Sequence, residues 1–431
     1  MHMLSDSDTQ PTVLPLELYE LIIDSLAEDD DTELTTIRTC SFVSRTFLPL
    51  TRKHIFASVV INNPSAKEYC PSPSTEAFVS LIERSTEIGE YIRKIEYCMA
   101  NDDDDITFPT PRMYILGKRL TNLNSLGIWT GDAWKTQKWF MRPVLLRLMQ
   151  LPSLSNLRFH WIKNFPAFHL IHSTGLKHLA IEYTDFSEDV VPPSTAPLPR
   201  KLVYLHEYTV GPRCASATKK LTETRHPDGL PIVDFTKLAK VIANCYNEED
   251  IDAFQTILIR ANQLQNIDLT SKPPPLICEA QLTIIDLVSG SLTYAGLAEM
   301  VMGSIRTLKT LTLTATVYDS SKDPLSRLCG ELGTISATGR SVIETLSIDV
   351  SLSTDVAGKR GNEWGLLDSV LTKKDTWLGL KEVSLNIRVY FRGRDKEDDS
   401  IEPLNKLRDT QFKGLSASEK INFKFEVMAV G

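Results

Sequence analysis

The side chains able to do chemistry in this 431-residue chain are few and scattered. His160, His169, His172 and His178 lie close together, and His169 and His172 share one helical face at three-residue spacing. Imidazoles so placed could hold a transition metal, but a site needs at least a third donor. No spacing supplies one, and these residues read as ordinary core or surface histidines. Asp102 to Asp105 are four carboxylates in a row. A calcium loop alternates its carboxylates and turns on a Gly, so this run reads as a solvated acidic loop. The seven cysteines (Cys40, Cys70, Cys98, Cys214, Cys245, Cys278 and Cys329) are odd in number and never form C-x-x-C. That excludes a secreted disulfide framework and a paired-ligand zinc site, leaving buried thiols in a reducing compartment. There is no Gly-rich phosphate loop ending in Lys-Ser/Thr, no G-x-S-x-G and no H-E-x-x-H. The chain therefore reads as non-catalytic, with no catalytic residue, no metal and no cofactor assigned.

The elements that must position any functional residue follow one pattern. Residues 123–129 (LNSLGIW), 154–161 (LSNLRFHW), 176–183 (LKHLAIEY), 264–269 (LQNIDL), 308–313 (LKTLTL), 343–348 (IETLSI) and 380–385 (LKEVSL) each fit L-x-x-L-x-L. Three apolar residues face one way, as in the strand of a leucine-rich repeat. Leu126 to Leu157 spans 31 residues, Leu157 to Leu179 spans 22, and Leu311 to Leu346 spans 35. Regular repeats run ~20–29 residues, so the array is irregular, and an α/β domain with a true parallel sheet is the competing architecture. The spacing predicts earlier strands at 57–61 and 93–97, a helix over 74–91, and a closing strand at 421–428. Further helices are predicted over 134–149 (kinked or restarted at Pro143), 235–246, 251–261, 294–305, 325–335, 364–371 and 404–415. Two stretches break the rhythm: 187–200 is rich in Pro and Ser, and 211–231 has no apolar period. Both are predicted to be loop insertions.

The N-terminus is different. Residues 1–12 are polar and expected to be disordered. Leu14-Pro15 then opens an amphipathic helix carrying Leu18, Leu21, Ile22 and Leu26, since Pro at a first helical position needs no N–H partner. After the acidic run Glu28 to Asp31, Asp31 or Thr32 can cap a second helix with Leu34, Ile37, Cys40, Phe42 and Val43. A third follows Leu48-Pro49 and ends on Ile55 and Phe56. Three short helices cannot bury all that apolar surface among themselves. Leu14, Pro15, Glu17, Leu18, Ile22, Leu26, Leu34, Cys40, Val43, Ser44, Arg45, Phe47 and Phe56 stand in the order of the F-box motif. The stretch resembles that family, and 41–56 (SFVSRTFLPLTRKHIF) is particularly similar to F-box proteins of mushroom-type (basidiomycete) fungi. It departs from the motif in Phe47, where many members have Trp, and in a long acidic linker.

The resemblance implies an α/β chain built as a small three-helix F-box (13–57) followed by an irregular leucine-rich-repeat-like solenoid (58–431). It also implies a substrate-recognition subunit of a cullin–RING ubiquitin ligase, docked on a Skp-type adaptor and through it on a cullin. Leu14, Pro15, Leu18, Ile22, Leu26, Ile37, Cys40 and Val43 would supply the adaptor contacts, with Arg45 at their rim. The repeat region would bind a protein substrate through the outward strand positions. There the candidates are Arg158, His160, Lys177, Glu182, Gln265, Asp268, Lys309 and Glu382. The alternative is a free-standing leucine-rich-repeat scaffold whose N-terminal helices cap the array.

Composition agrees with an intracellular protein-binding molecule. A formal net charge of −8 and the lack of an aromatic stripe among the outward positions oppose nucleic acid. No run approaches the ~20 apolar residues of a membrane span, and the first residues lack the order of a secretion signal. The expected location is cytoplasmic or nuclear, with no membrane partner.

Overall fold

Each L-x-x-L-x-L segment is a strand in the computed structural model, and the leading Leu of each turns inward. Leu123, Leu154, Leu176, Leu264, Leu308, Ile343 and Leu380 are all buried beneath the strand that follows them. The structure describes residues 14–29, 34–62, 73–98, 110–130, 134, 142–187, 202–226, 228–245, 248–270, 296–317, 325, 327–353, 363–373, 376–390 and 397–430. The expected disordered terminus (1–12), Asp31 and Thr32, the Asp102 to Asp105 run and 188–200 lie outside them, and the second helix is entered through Leu34, with no side-chain cap, rather than through Asp31 or Thr32. Packing divides the chain into two compact units, 1–127 with 139–153, and 128–138 with 154–431. The expected domain boundary at 57/58 thus falls inside the first unit.

In the first unit three helices, α1 (Leu16–Asp29), α2 (Thr35–Val43) and α3 (Phe47–Ile55), precede β1 (Ser58–Asn62). β1 pairs in parallel with β2 (Lys94–Cys98). Helices Thr75–Arg84, Thr86–Tyr91, Thr110–Arg119 and Arg142–Met149 complete it. Ser74 caps the first of these by accepting from the Ala77 N–H (3.2 Å). Pro143 sits in the first turn of the last, a place where its missing N–H costs nothing. Of the helix predicted over 134–149, the described part runs from Arg142 to Met149.

β3 (Ser125–Trp129) runs from the first unit into the second. The second contains β4 (Asn156–His160), β5 (Phe165–Pro166), β6 (His178–Glu182), β7 (Phe186–Ser187), β8 (Val203–Tyr204) and β9 (Glu207–Val210). It continues with β10 (Val233–Asp234), β11 (Lys240–Asn244), β12 (Asn266–Thr270), β13 (Thr310–Val317), β14 (Thr345–Ser353), β15 (Glu382–Tyr390) and β16 (Asn422–Val430). β4, β6, β9 and β11 to β16 lie side by side in that order. Every pairing between them is parallel. The result is a mixed α/β architecture with a long parallel sheet.

One backbone device recurs. The carbonyls of Ser155, Lys177, His206, Ala239, Gln265, Lys309 and Glu344 each accept two N–H groups from the next repeat, at 2.8–3.1 Å. Ala57 and Arg93 do the same in the first unit. A chain that repeats the same turn at each step stacks its strands in register and satisfies its buried peptide groups.

The connections between strands set the irregularity. Where only 22 residues separate Leu157 from Leu179, the return is a short 3-10 helix, Ala167–His172, and His169 and His172 lie there rather than on an α-helix. Longer returns hold α-helices that cap one another. Glu331, on helix Leu328–Ala337, accepts from the Gly296 and Ala298 N–H groups at the start of Leu297–Met302 (2.9 and 2.8 Å). Asp368, on helix Glu363–Leu371, accepts from Gly414 and Leu415 (2.9 and 2.7 Å). A Cβ on Gly414 would meet Asp368 Oδ2 at 2.8 Å, so this approach needs glycine.

Three predicted elements are corrected. Residues 211–231 are not a loop insertion: Ala215–Glu223 is a helix that buries Ala217, Thr218, Leu221 and Thr222, a face too rich in threonine to register as apolar. Residues 235–246 are not a helix. Val241 and Ala243 turn inward on β11, behind Leu238, and β9 likewise buries Tyr208 and Val210 behind Leu205. Both are L-x-x-L-x-L strands with Tyr, Val or Ala in place of leucine. Residues 404–415 divide among three short helices, Glu397–Asn405, Leu407–Thr410 and Lys413–Ser416. The closing strand is β16, parallel to β15 and last in the sheet order.

Candidate interaction surfaces

The first surface is made by α1 and α2. The acidic and basic groups between α1 and α3 form a polar clasp. Lys53 Nζ lies 2.7 Å from Glu20 Oε1 and 2.8 Å from Asp24 Oδ1, and His54 Nε2 lies 2.7 Å from the same Asp24 oxygen. The Lys53 ammonium hydrogen-bonded to it holds the Asp24 carboxyl below its usual value. Tyr19 meets Phe47 edge-on at 5.3 Å, so Phe47 does the packing its position requires. Ile23, Ile37 and Thr51 are buried inside.

The apolar side chains left outside are extensive. Leu14, Leu18, Leu21 and Ile22 are exposed along α1 and its entry, and Phe42 and Val43 at the end of α2 are 87% and 66% exposed. Pro15 and Arg45 are also exposed, and Leu26 and Cys40 are half-buried. Ile37 is the exception among the predicted adaptor contacts. It is fully buried, because its side of α2 faces the bundle, and so it holds the helices together rather than meeting a partner.

The second surface is the outward side of the sheet in the second unit. Arg158, His160, Glu182, Asp268 and Glu382 lie at alternate positions of β4, β6, β12 and β15; Arg158 is exposed, Glu182, Asp268 and Glu382 are half-buried, and the His160 side chain is only 13% exposed. Lys177, Gln265 and Lys309 do not: each occupies the turn just before its strand and supplies the doubly accepting carbonyl. The outward side chains pair across neighbouring strands, in register except for Lys424, which reaches Glu382 two positions away. Glu207 accepts from Lys240 (3.0 Å) and meets His178 Nδ1 at 3.1 Å. Burial works to raise the Glu207 carboxyl, but those two hydrogen bonds win and hold it low. Asn386 donates to Asp349 (2.7 Å) and Lys424 to Glu382 (2.8 Å).

At the C-terminal ends of β3, β4 and β6 the surface changes character. The Trp129 and His160 rings lie 4.0 Å apart, and the His160 ring stands edge-on to Trp161 and Tyr183, both at 5.9 Å. Trp161 and Tyr183 stack at 4.3 Å with planes only 13° apart. An aromatic cluster that the strand pattern did not announce therefore stands beyond the outward strand positions. Sequence reasoning missed it because Trp161 and Tyr183 lie one residue past their strands and reach the surface through left-handed backbone, φ 62° and 48°. Arg213, beyond β9, has φ 57°. Left-handed backbone costs an L-residue about 1–2 kcal/mol, and the next repeat holds it here. Trp161 N–H donates to the Glu182 carbonyl and Tyr183 N–H to the Pro212 carbonyl, both at 2.9 Å. Both aromatics stand seven residues after the leading Leu of consecutive repeats, a periodic signal that could have revealed them.

His160 and Glu182 form an uncharged-imidazole contact. His160 Nε2 lies 3.2 Å from Glu182 Oε2. Burial, with Arg158 adding to it, pushes the imidazole down to about 4, while burial raises the Glu182 carboxyl. The ring is thus held toward its neutral form, with Nε2 the nitrogen that faces Glu182. Its Nδ1 is left buried without a partner, as is the neighbouring Trp129 Nε1. The Glu182 side chain leans over Gly211, where a Cβ would meet Glu182 Cγ at 2.6 Å.

No protein-family model matches the chain, and no curated protein is found similar to it in sequence. Among solved structures, an internalin (inlF) from Listeria monocytogenes str. 4b F2365 is similar at a TM-score of 0.33 and 11% identity. The match covers 82% of this chain and 71% of the internalin. The repeat architecture described above rests on the chain's own ladders and turns. No helix among the described residues is long and apolar enough to cross a membrane.

Proposed function

We propose that the chain is a substrate-receptor subunit of a cullin–RING ubiquitin ligase, with 14–56 docking on a Skp-type adaptor and the repeat sheet holding a protein substrate. The observation that carries this reading is the exposed apolar face of α1 and α2. The same helices bury Ile23 and Ile37, yet leave Leu14, Leu18, Ile22, Phe42 and Val43 in water. Exposed apolar surface of that kind marks an interaction site. A helical cap would do the reverse, hiding its apolar face on the array and turning a polar one outward. The receptor itself needs no catalytic group, since its contribution is to raise the local concentration of substrate near the ubiquitin-carrying enzyme.

The test is co-purification with a fungal Skp-type adaptor, comparing wild type with Leu18→Asp. Leu18 is 46% exposed, so the substitution is expected to leave the melting temperature unchanged while abolishing adaptor capture, because it strands a charge in an apolar contact. A well-folded wild type that captures no adaptor overturns the reading. Destabilisation of the repeat array by Leu18→Asp would favour the cap.

A further inference from the structure

We propose that the stacked Trp161–Tyr183 pair, with Arg158 and Arg213 beside it, anchors an acidic segment of a partner protein. Carboxylates of that segment pair with the two guanidinium groups, and one of its apolar or aromatic side chains covers the Trp161 ring. This rests on the receptor reading above and assigns its substrate-holding point and the chemistry of the segment held there.

Three observations carry it. The first is backbone strain, held in place by hydrogen bonds to the next repeat. Trp161, Tyr183 and Arg213 all hold left-handed backbone that glycine would adopt freely. Strain of this kind is retained where function needs a particular presentation. What it achieves here is a flat aromatic pair at the C-terminal ends of β4 and β6, with Trp161 38% exposed.

The second is charge. Arg158 and Arg213 are exposed. Arg158 lies on β4 two residues before His160, whose ring meets both Trp161 and Tyr183, and Arg213 follows Pro212, whose carbonyl accepts the Tyr183 N–H. Neither guanidinium forms an ion pair among the described residues, although the chain carries a net −8. Glu182, the acidic group between them, is turned over Gly211 and meets His160.

The third is composition. Trp, Tyr and Arg are the side chains that dominate binding energy at protein interfaces. Arginine favours carboxylate because its planar donors match the two oxygens. Single-stranded nucleic acid would also stack on the rings, but it needs a basic groove that tracks its backbone, and two arginines beside Glu182 do not make one, so the protein segment is the better fit.

The test uses the full chain and fluorescence anisotropy with a labelled random copolymer of glutamate and tyrosine. Labelled polylysine and oligo-dT serve as competing chemistries. Wild type is expected to bind the copolymer in preference to both, more weakly as salt rises. Trp161→Gly, which the left-handed backbone tolerates, is expected to weaken binding about tenfold or more. The double variant Arg158→Ala/Arg213→Ala is expected to do likewise and to flatten the salt dependence. It removes only exposed groups, so it decides the matter if Trp161→Gly lowers the melting temperature. The proposal is overturned if wild type does not bind the copolymer, if both variants bind it equally well, or if oligo-dT or polylysine binds more tightly. Adaptor capture is measured on the same preparations. Its loss with copolymer binding intact overturns the ligase reading alone, and the converse overturns only the anchor.

Discussion

His160 shows how much a single residue's surroundings can change its chemistry. Its alternation on β4 marked it as outward-facing, yet Trp129 covers it and burial keeps its imidazole neutral, at about 4 against the usual 6.5. A histidine whose folded value is depressed stabilises the fold fully above its unfolded value. That contribution disappears as pH falls through the window from 6.5 to about 4, because the unfolded chain takes the proton first. Wild type is therefore expected to lose melting temperature between pH 7.5 and pH 4.5. His160→Phe, which keeps a ring on Trp129 but cannot titrate, should lose less, and parallel pH-dependent slopes would refute the assignment. Neither the burial nor the contact with Glu182 was legible beforehand, because each depends on a residue from a neighbouring repeat.

At the scale of elements, what mattered was which residues could stand in for leucine. Strands built on Leu and Ile were visible from their spacing alone. β9 and β11 were not, since Tyr208, Val210, Val241 and Ala243 fill the same inward positions with less regular side chains. The helix Ala215–Glu223 was hidden for a related reason: two of its four buried residues are threonines. Cross-repeat caps are wholly a product of assembly. Asp368 accepts two N–H groups from the helix Lys413–Ser416, which lies some forty residues further along the chain. Asp368→Ala removes the acceptor for both and is expected to cost about 1–2 kcal/mol, read as a lowered denaturant midpoint. Asp368→Asn, which retains one acceptor oxygen, should recover part of that loss.

Across the whole molecule, repetition confines damage to neighbours. In a stacked array each repeat is stabilised chiefly by the one on either side. Leu346 is fully buried on β14, which is paired with β13 and β15. Leu346→Ala is expected to cost about 2–5 kcal/mol through lost burial and the cavity left behind. Hydrogen exchange should then lose protection on β13, β14 and β15 while β4 and β6 stay protected. A uniform loss along the sheet would mean that the second unit unfolds as a single cooperative body.

The sequence by itself determined the repeating strand and its inward leucines, the three N-terminal helices and the apolar stripe of the first. These are local properties: a period of two or of three to four residues dictates which side chains share a face. Tertiary structure decided what those faces meet. It placed Ile37 inside the bundle and left Phe42 and Val43 outside. It moved Lys177, Gln265 and Lys309 from the sheet face to the turns, and it brought Trp161 and Tyr183 together from separate repeats. Each of those outcomes depends on how one helix or repeat packs on another, a contact between residues distant in the chain that no local period encodes.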